Sequence, residues 1–287
     1  MTIKESRPKE TNTLIDATEV RYIKSSFVDQ EFRICIGPGW YTSRGAQPAG
    51  KVPVIYVLDG NIEVIRAVRG MHFGGELPPA LVVAIGYPFE SPAPLRFRDL
   101  SPASDPAFEQ RFGIRSGGAA DFLRFIAEEL KPFIESGYDV DPADATLVGG
   151  SLGGVFATYV LLGATETFQR YCIVSPALSY GDEVCFKQEA SYAASHADLP
   201  AKVFIGAGER EDEPGMAKYV AAADGPGSQA PKIVILEHAR RFARQLAARR
   251  YPSLDLRFEV FPKETHGSIF GVAVSWGLRS LFGTLDP

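Results

Sequence analysis

The sequence predicts an α/β architecture, a mainly parallel sheet with helices on both faces. Three observations point there. Short continuous apolar runs recur along the chain, at Val52–Leu58, Leu81–Ile85, Thr146–Val148, Tyr171–Val174, Val203–Ile205 and Leu256–Val260. Consecutive apolar residues of this kind suit strands buried on both faces of a parallel sheet. Segments with helical spacing lie between several of the runs, and strands alternating with helices give covered, mainly parallel sheets. No linker divides the chain, so residues 19–287 read as a single domain behind a polar, flexible lead-in at 1–18.

Taken in order, Val20–Ile23 and Glu31–Cys35 alternate apolar and polar residues and read as strands. Gly37–Lys51 is rich in Gly and Pro and reads as a connection. Tyr87–Arg115 holds five prolines and no clear period. A loop of that length inside a compact domain is usually functional or mobile, so it is expected beside the active site as a wall or lid, the alternative being a plain surface excursion. Ala120–Glu135 places Phe122, Phe125, Ile126, Leu130 and Phe133 at helical spacing, with Ser116 as a candidate cap. Val155–Leu162 is a further apolar segment. Ile233–Arg250 carries Leu236, Ala239, Phe242, Ala243 and Leu246 on one face and arginines opposite, and Ser268–Leu281 reads as a last helix.

Composition narrows the function classes. The chain has 287 residues, 45% hydrophobic and 23% charged, with a formal net charge of -5, ordinary values for a soluble globular protein. No Lys/Arg run favours nucleic acid or an anionic membrane surface. No stretch approaches the ~18 apolar residues of a membrane span. The polar N-terminus lacks the apolar core of a secretory signal, so a cytoplasmic location is expected. Cys35, Cys172 and Cys185 are widely spaced, without the close pairs that zinc or redox motifs need. Buried thiols, and neither metal nor organic cofactor, are expected.

The chemistry is carried by Gly149-Gly150-Ser151-Leu152-Gly153, a G-x-S-x-G pentapeptide. An apolar strand precedes it and a helix-like segment follows. In that context a serine sits on a strained elbow, as in the α/β-hydrolase fold. Gly149 and Gly153 let strand and helix approach, and the Leu152 N–H points where an oxyanion would form. A serine needs a base to take its proton. Of four histidines, His72 and His196 fall outside the expected order and His238 lies within a helix. His266 follows the last strand and precedes the last helix, where this fold keeps its base. The acid should follow Val203–Ile205, on a turn that offers Glu209, Glu211, Asp212 and Glu213. A second oxyanion donor is expected at Asp59-Gly60-Asn61, from the Asn61 N–H. Arg98 is a candidate for gripping an anionic substrate, or else an ion-pair partner of Asp99 or another acid.

These residues resemble the putative-esterase group of α/β-hydrolases, most closely its siderophore trilactone esterases. The resemblance runs from about Ile23 to the C-terminus. It rests on Val54-Ile-Tyr-Val-Leu-Asp-Gly60, Arg98-Asp-Leu-Ser-Pro102, Ser116-Gly-Gly-Ala119, Ser151-Leu-Gly-Gly154, Ser175-Pro176 and Thr265-His-Gly267. It implies that the acid is the fourth residue of the Gly208-Glu-Arg-Glu211 turn, Glu211, with Glu209 second, and it supports Asn61 as oxyanion donor. The chain departs from the pattern at the elbow, Gly-Gly-Ser where the family often has Gly-His-Ser. It departs again at Ser175-Pro-Ala-Leu-Ser-Tyr180, where the family has Ser-Pro-Ser-Leu-Trp-Trp. Smaller side chains at Gly150, Ala177 and Ser179 are expected to reshape the pocket.

The expected function is thus a serine carboxylic-ester hydrolase, with a Ser151–His266–Glu211 triad, an acyl-enzyme intermediate and a small-molecule ester as its partner, siderophore lactones among the candidates. The alternatives are an acyltransferase using the same triad and a non-catalytic binding protein of this fold.

Overall fold

The computed structural model describes residues 5–11, 15–42, 48–89, 95–106, 109–110, 113–224 and 234–284. Residues 1–4 and 12–14 of the expected lead-in, parts of the 87–115 loop and the expected helix start at Ile233 lie outside the described residues.

Among the described residues, nine strands form one sheet in the order β1-β2-β3-β5-β4-β6-β7-β8-β9. They are β1 (Glu10–Thr11), β2 (Glu19–Lys24), β3 (Glu31–Pro38), β4 (Val52–Val57), β5 (Leu81–Gly86), β6 (Val140–Gly150), β7 (Arg170–Val174), β8 (Lys202–Gly208) and β9 (Asp255–Phe261). The first three pair antiparallel and β3 joins β5 antiparallel; from β5 through β9 every pairing is parallel. This is the α/β-hydrolase fold.

The consecutive apolar runs have the anticipated cause. In β4, Val54 and Tyr56 join the core on one face while Ile55 and Val57 join the core on the other. In β5, Leu81, Val83 and Ile85 oppose Val82 and Ala84 in the same way. Two helices cover one face, α1 (Glu63–Phe73) and α9 (Ile269–Leu281), through Val64, Ile65, Val68, Ala273, Val274 and Leu278. On the other face lie α3 (Ala119–Arg124), α4 (Lys131–Gly137), α5 (Leu152–Gly163), α6 (Tyr180–Ser195) and α8 (Leu236–Arg249). Two further helices, α2 (Leu95–Asp99) and α7 (Glu213–Asp224), lie on connections between strands. The apolar face read along α8 is buried as expected, at Leu236, Ala239, Phe242, Ala243 and Leu246. No helix among the described residues is long and apolar enough to cross a membrane.

Three local expectations change. The helix read over Ala120–Glu135 is α3 and α4 joined by a π-helical stretch, Phe125–Leu130; Phe125 there stacks on Phe32 of β3 with ring centroids 4.3 Å apart. Ser116 does not cap α3, whose N-cap is Gly118. Its hydroxyl instead donates to Glu109 and accepts the Asp105 N–H, both at 2.8 Å, closing the preceding loop. The described part of the 1–18 segment is docked on the sheet. Glu10 and Thr11 pair with β2, Glu5 bridges to Ile23, Ile15 and Thr18 are buried, and Lys9 pairs with Glu19. A polar segment held by backbone pairing and one buried isoleucine carries no periodic signal.

Candidate active site

The elbow begins with a close crossing of strand and helix. β6 ends at Gly150, α5 starts at Leu152, and Ser151 between them has φ 55° and ψ −117°. A non-glycine residue with positive φ is uncommon and marks a turn or a functional constraint. A Cβ at Gly149 would run into the Gly153 carbonyl, so only a glycine lets the strand end and the helix start approach this closely. The Ser151 N–H donates to the Val174 carbonyl at 2.9 Å, and the Ser151 carbonyl accepts the Ala177 N–H at 3.2 Å. The turn after β7 therefore braces the serine on both sides.

His266 lies in the turn between β9 and α9, with 10% of its side chain exposed. Its Nε2 is 3.1 Å from Ser151 Oγ and its Nδ1 is 2.6 Å from Glu211 Oε1. Tyr219 of α7 meets the imidazole edge to face, centroids 4.8 Å apart. Glu211 follows β8 and is fully buried. Its Oε2 accepts two bonds of 2.6 Å, from Ser175 Oγ and from the Gly208 N–H. The other three carboxylates of the turn point elsewhere. Glu209 is exposed and accepts the Lys263 N–H at 2.8 Å, Asp212 accepts the Gly215 N–H, and Glu213 opens α7. The geometry thus joins Glu211, and not Glu209, to His266.

The cleft above Ser151 has a volume of about 310 Å³ and is lined by Asp59, Asn61, Arg96, Tyr219, His266 and Phe270 among others. Leu152 is the first residue of α5, so its N–H has no acceptor within the helix. Asn61 ends the short turn after β4, with its side-chain amide donating to the Leu58 carbonyl at 2.8 Å. Asn61 lines the cleft, and Leu152 directly follows Ser151, which lines it too.

Arg98 does not line this cleft. Its guanidinium forks onto the Asp99 carboxylate at 2.6 and 3.1 Å, the ion-pair reading of the sequence. Burial pushes the Asp99 carboxyl up from its ordinary range, against the opposing pull of the bonds from Arg98 and Tyr87. Arg96, on the same short helix α2, enters the cleft instead and forks onto Asp59 at 2.7 and 3.0 Å. The remaining histidines serve elsewhere. His72 bonds the Leu77 carbonyl, His196 stacks on Tyr192, and His238 bonds the Val234 carbonyl and Glu183. Among the described residues, no group of three or more His, Cys, Asp or Glu side chains is arranged to hold a metal ion.

With this geometry in view, the chain's relatives can be placed. The family profile described as "Putative esterase" matches residues 25–244. The chain belongs to that family. A curated relative in sequence is the ferri-bacillibactin esterase BesA of Bacillus subtilis (strain 168), 31% identical over 279 residues that cover 92% of this chain and 89% of the relative. The siderophore enterobactin esterase of Emericella nidulans is 26% identical over 264 residues, 83% of this chain and 85% of that one. Among solved structures, the BES protein from Bacillus cereus superposes with a TM-score of 0.74 at 25% identity, over 96% of this chain and 98% of that one. The protein is an esterase.

Four polar or aromatic residues lining this esterase's cleft, Arg96, Ser175, Tyr219 and Phe270, escape the sequence candidates. Arg96 sits in a segment without period, Tyr219 on a helix with no strong apolar face, and Phe270 in a helix readable only as the last one. Ser175 is noticed as part of Ser175-Pro176 but without a role. Phe270 is the most telling, because its ring lies 2.7 Å from where a Cβ at Gly150 would be. An aromatic ring from α9 thus occupies the space that a larger elbow side chain would need.

Proposed function

We propose that this esterase is a serine carboxylic-ester hydrolase acting on siderophore-type lactones, with Ser151 as nucleophile, His266 as general base and Glu211 as the acid that orients it. The observation that carries the reading is the continuous bonded chain from Glu211 through His266 to Ser151, at the end of a central strand and on a strained elbow. Neutral His266 takes the hydroxyl proton through Nε2 as Ser151 Oγ attacks the ester carbonyl. Glu211 holds the Nδ1–H tautomer and favours the imidazolium that forms. The N–H groups of Asn61 and Leu152 receive the developing oxyanion, the second helped by the positive end of the α5 dipole. The alcohol leaves with the proton from His266, and water, activated by the same base, cleaves the acyl-enzyme.

The substrate class rests on relatives, since the similar sequences are named as esterases of bacillibactin and enterobactin. The test is to incubate the purified protein with trilactone siderophores, metal-free and ferric, beside an aryl ester and a thioester. Ring-opened hydroxy acids from the lactones are expected, and Ser151→Ala should yield none and resist a fluorophosphonate probe. Turnover of the simple esters with intact lactones would overturn the substrate class. Labelling that persists in Ser151→Ala would overturn the nucleophile. Acyl transfer to an added alcohol in preference to water would make the protein a transferase.

A further inference from the structure

We propose that Ser175 is a positioning residue, whose hydroxyl fixes the Glu211 carboxylate in the plane that lets Oε1 meet His266. The inference rests on the triad reading above and adds to it a side chain on a different strand end.

The argument starts from what a buried carboxylate needs. Glu211 is fully buried, and among the described residues its only ion-pair partner is His266. Among those residues, no Lys or Arg balances it. A buried carboxylate without a cation depends on hydrogen-bond donors to hold it. Oε1 has the imidazole. Oε2 has two donors, the Gly208 N–H and the Ser175 hydroxyl, both at 2.6 Å. The backbone donor sits three residues away on Glu211's own turn and moves with it. Of the two donors on Oε2, Ser175 alone comes from another strand end, that of β7.

Its backbone is placed for that task. Ser175 is 1% exposed, with φ 47°, and its N–H donates to the Gly206 carbonyl of β8 at 2.7 Å. Glycine adopts such a φ without steric cost. What serine has and glycine lacks is the hydroxyl, and that hydroxyl is on Glu211. The neighbouring backbone holds the other end of the chain, since Val174 accepts the Ser151 N–H and Ala177 donates to the Ser151 carbonyl. One turn therefore mounts both the nucleophile and the acid, and fixes the spacing that the imidazole must span.

The test compares Ser175→Ala with Ser175→Gly, each alone and combined with Glu211→Gln. A hydrogen bond to a charged group that is lost in both variants should lower kcat about 10- to 100-fold with KM within about twofold. Glycine should not recover the loss, although it relieves the positive φ. On a Glu211→Gln background, Ser175→Ala should add less than about twofold, because the two act as a unit. Activity regained in Ser175→Gly would show a backbone role and overturn the inference. So would kcat within about twofold of wild type in both variants, or a loss of kcat that tracks a loss of melting temperature. If Glu211→Gln itself leaves kcat unchanged, the triad reading fails and this inference with it; if Glu211→Gln is severe and both Ser175 variants are mild, this inference alone fails.

Discussion

Glu209 and Glu211 stand two residues apart on one turn, yet one is exposed on the Lys263 N–H and the other is buried against His266. Composition offers four equal carboxylates there, and only burial, a property of the assembled fold, separates them. The resemblance to the family turn points to Glu211, whereas Ser151 and His266 are readable from local pattern and order. Ser175 is not readable, because its partner lies 36 residues along the chain. Glu211→Gln is expected to lower kcat on the order of 10^3-fold or more with the fold intact, and Glu209→Gln by only a few-fold; a reversed order would move the acid by two residues. Ser151 is strained in a second measurable way. A non-glycine residue held at such a φ costs on the order of 1–3 kcal/mol, so Ser151→Gly should be more stable than Ser151→Ala by about 1 kcal/mol in urea titration, though neither should turn over ester. Equal stabilities would mean the elbow is relaxed. The three cysteines are free and buried. Burial pushes the Cys35 and Cys172 thiols up, and Cys185 up to about 12. With so little thiolate at pH 8, none should react with iodoacetamide until the protein is unfolded; rapid native alkylation would contradict their burial.

At the scale of elements, strands are legible where both faces are apolar and less so at their ends. β6 runs over Val140–Gly150, where only Thr146–Val148 reads as strand. Val140 pairs with Val52 of β4 and Ala145 with Val54, so Asp141-Pro142-Ala143-Asp144 bulges out between them, with the Ala143 N–H on the Asp141 carboxylate at 3.0 Å. The π-helical stretch between α3 and α4 is invisible to periodicity for a similar reason, since the same apolar residues face the core with or without it. The crossing of β6 and α5 is the element contact on which the chemistry depends. Gly149→Ala should cost about 1–3 kcal/mol through overpacking and should lower kcat as well, because relief of the clash displaces the Ser151 elbow. A folded Gly149→Ala with full activity would show that the crossing has slack. By contrast Phe242→Ala, in the buried face of α8, should cost about 3–5 kcal/mol while kcat per folded molecule stays near wild type, since Phe242 does not line the cleft. Thermal melts with active-site titration separate the two cases.

Across the whole molecule, the cleft collects residues that follow β4, β5, β6, β7, β8 and β9, at the ends where open parallel sheets present their ligand crevices. That much follows from the alternation of strands and helices in the sequence. Which loop residues turn inward does not, because Phe270 meets the elbow at Gly150 across 120 positions of chain. The order of the strands has a further consequence. Among the described residues, β9 is the outermost strand on its side, paired to β8 alone and only partly buried along most of its length, and it leads directly into the turn that holds His266. Edge elements with few buried contacts open with lower free energy than a domain's central strands. Working lifetime and folded lifetime should therefore differ in this protein. In rising urea, ester turnover is expected to fade before far-UV circular dichroism does, and amides of β9 to exchange faster than those of β6. A pulse of mild denaturant would then act as a reversible off-switch, silencing the population while its core persists and letting it recover at once on dilution.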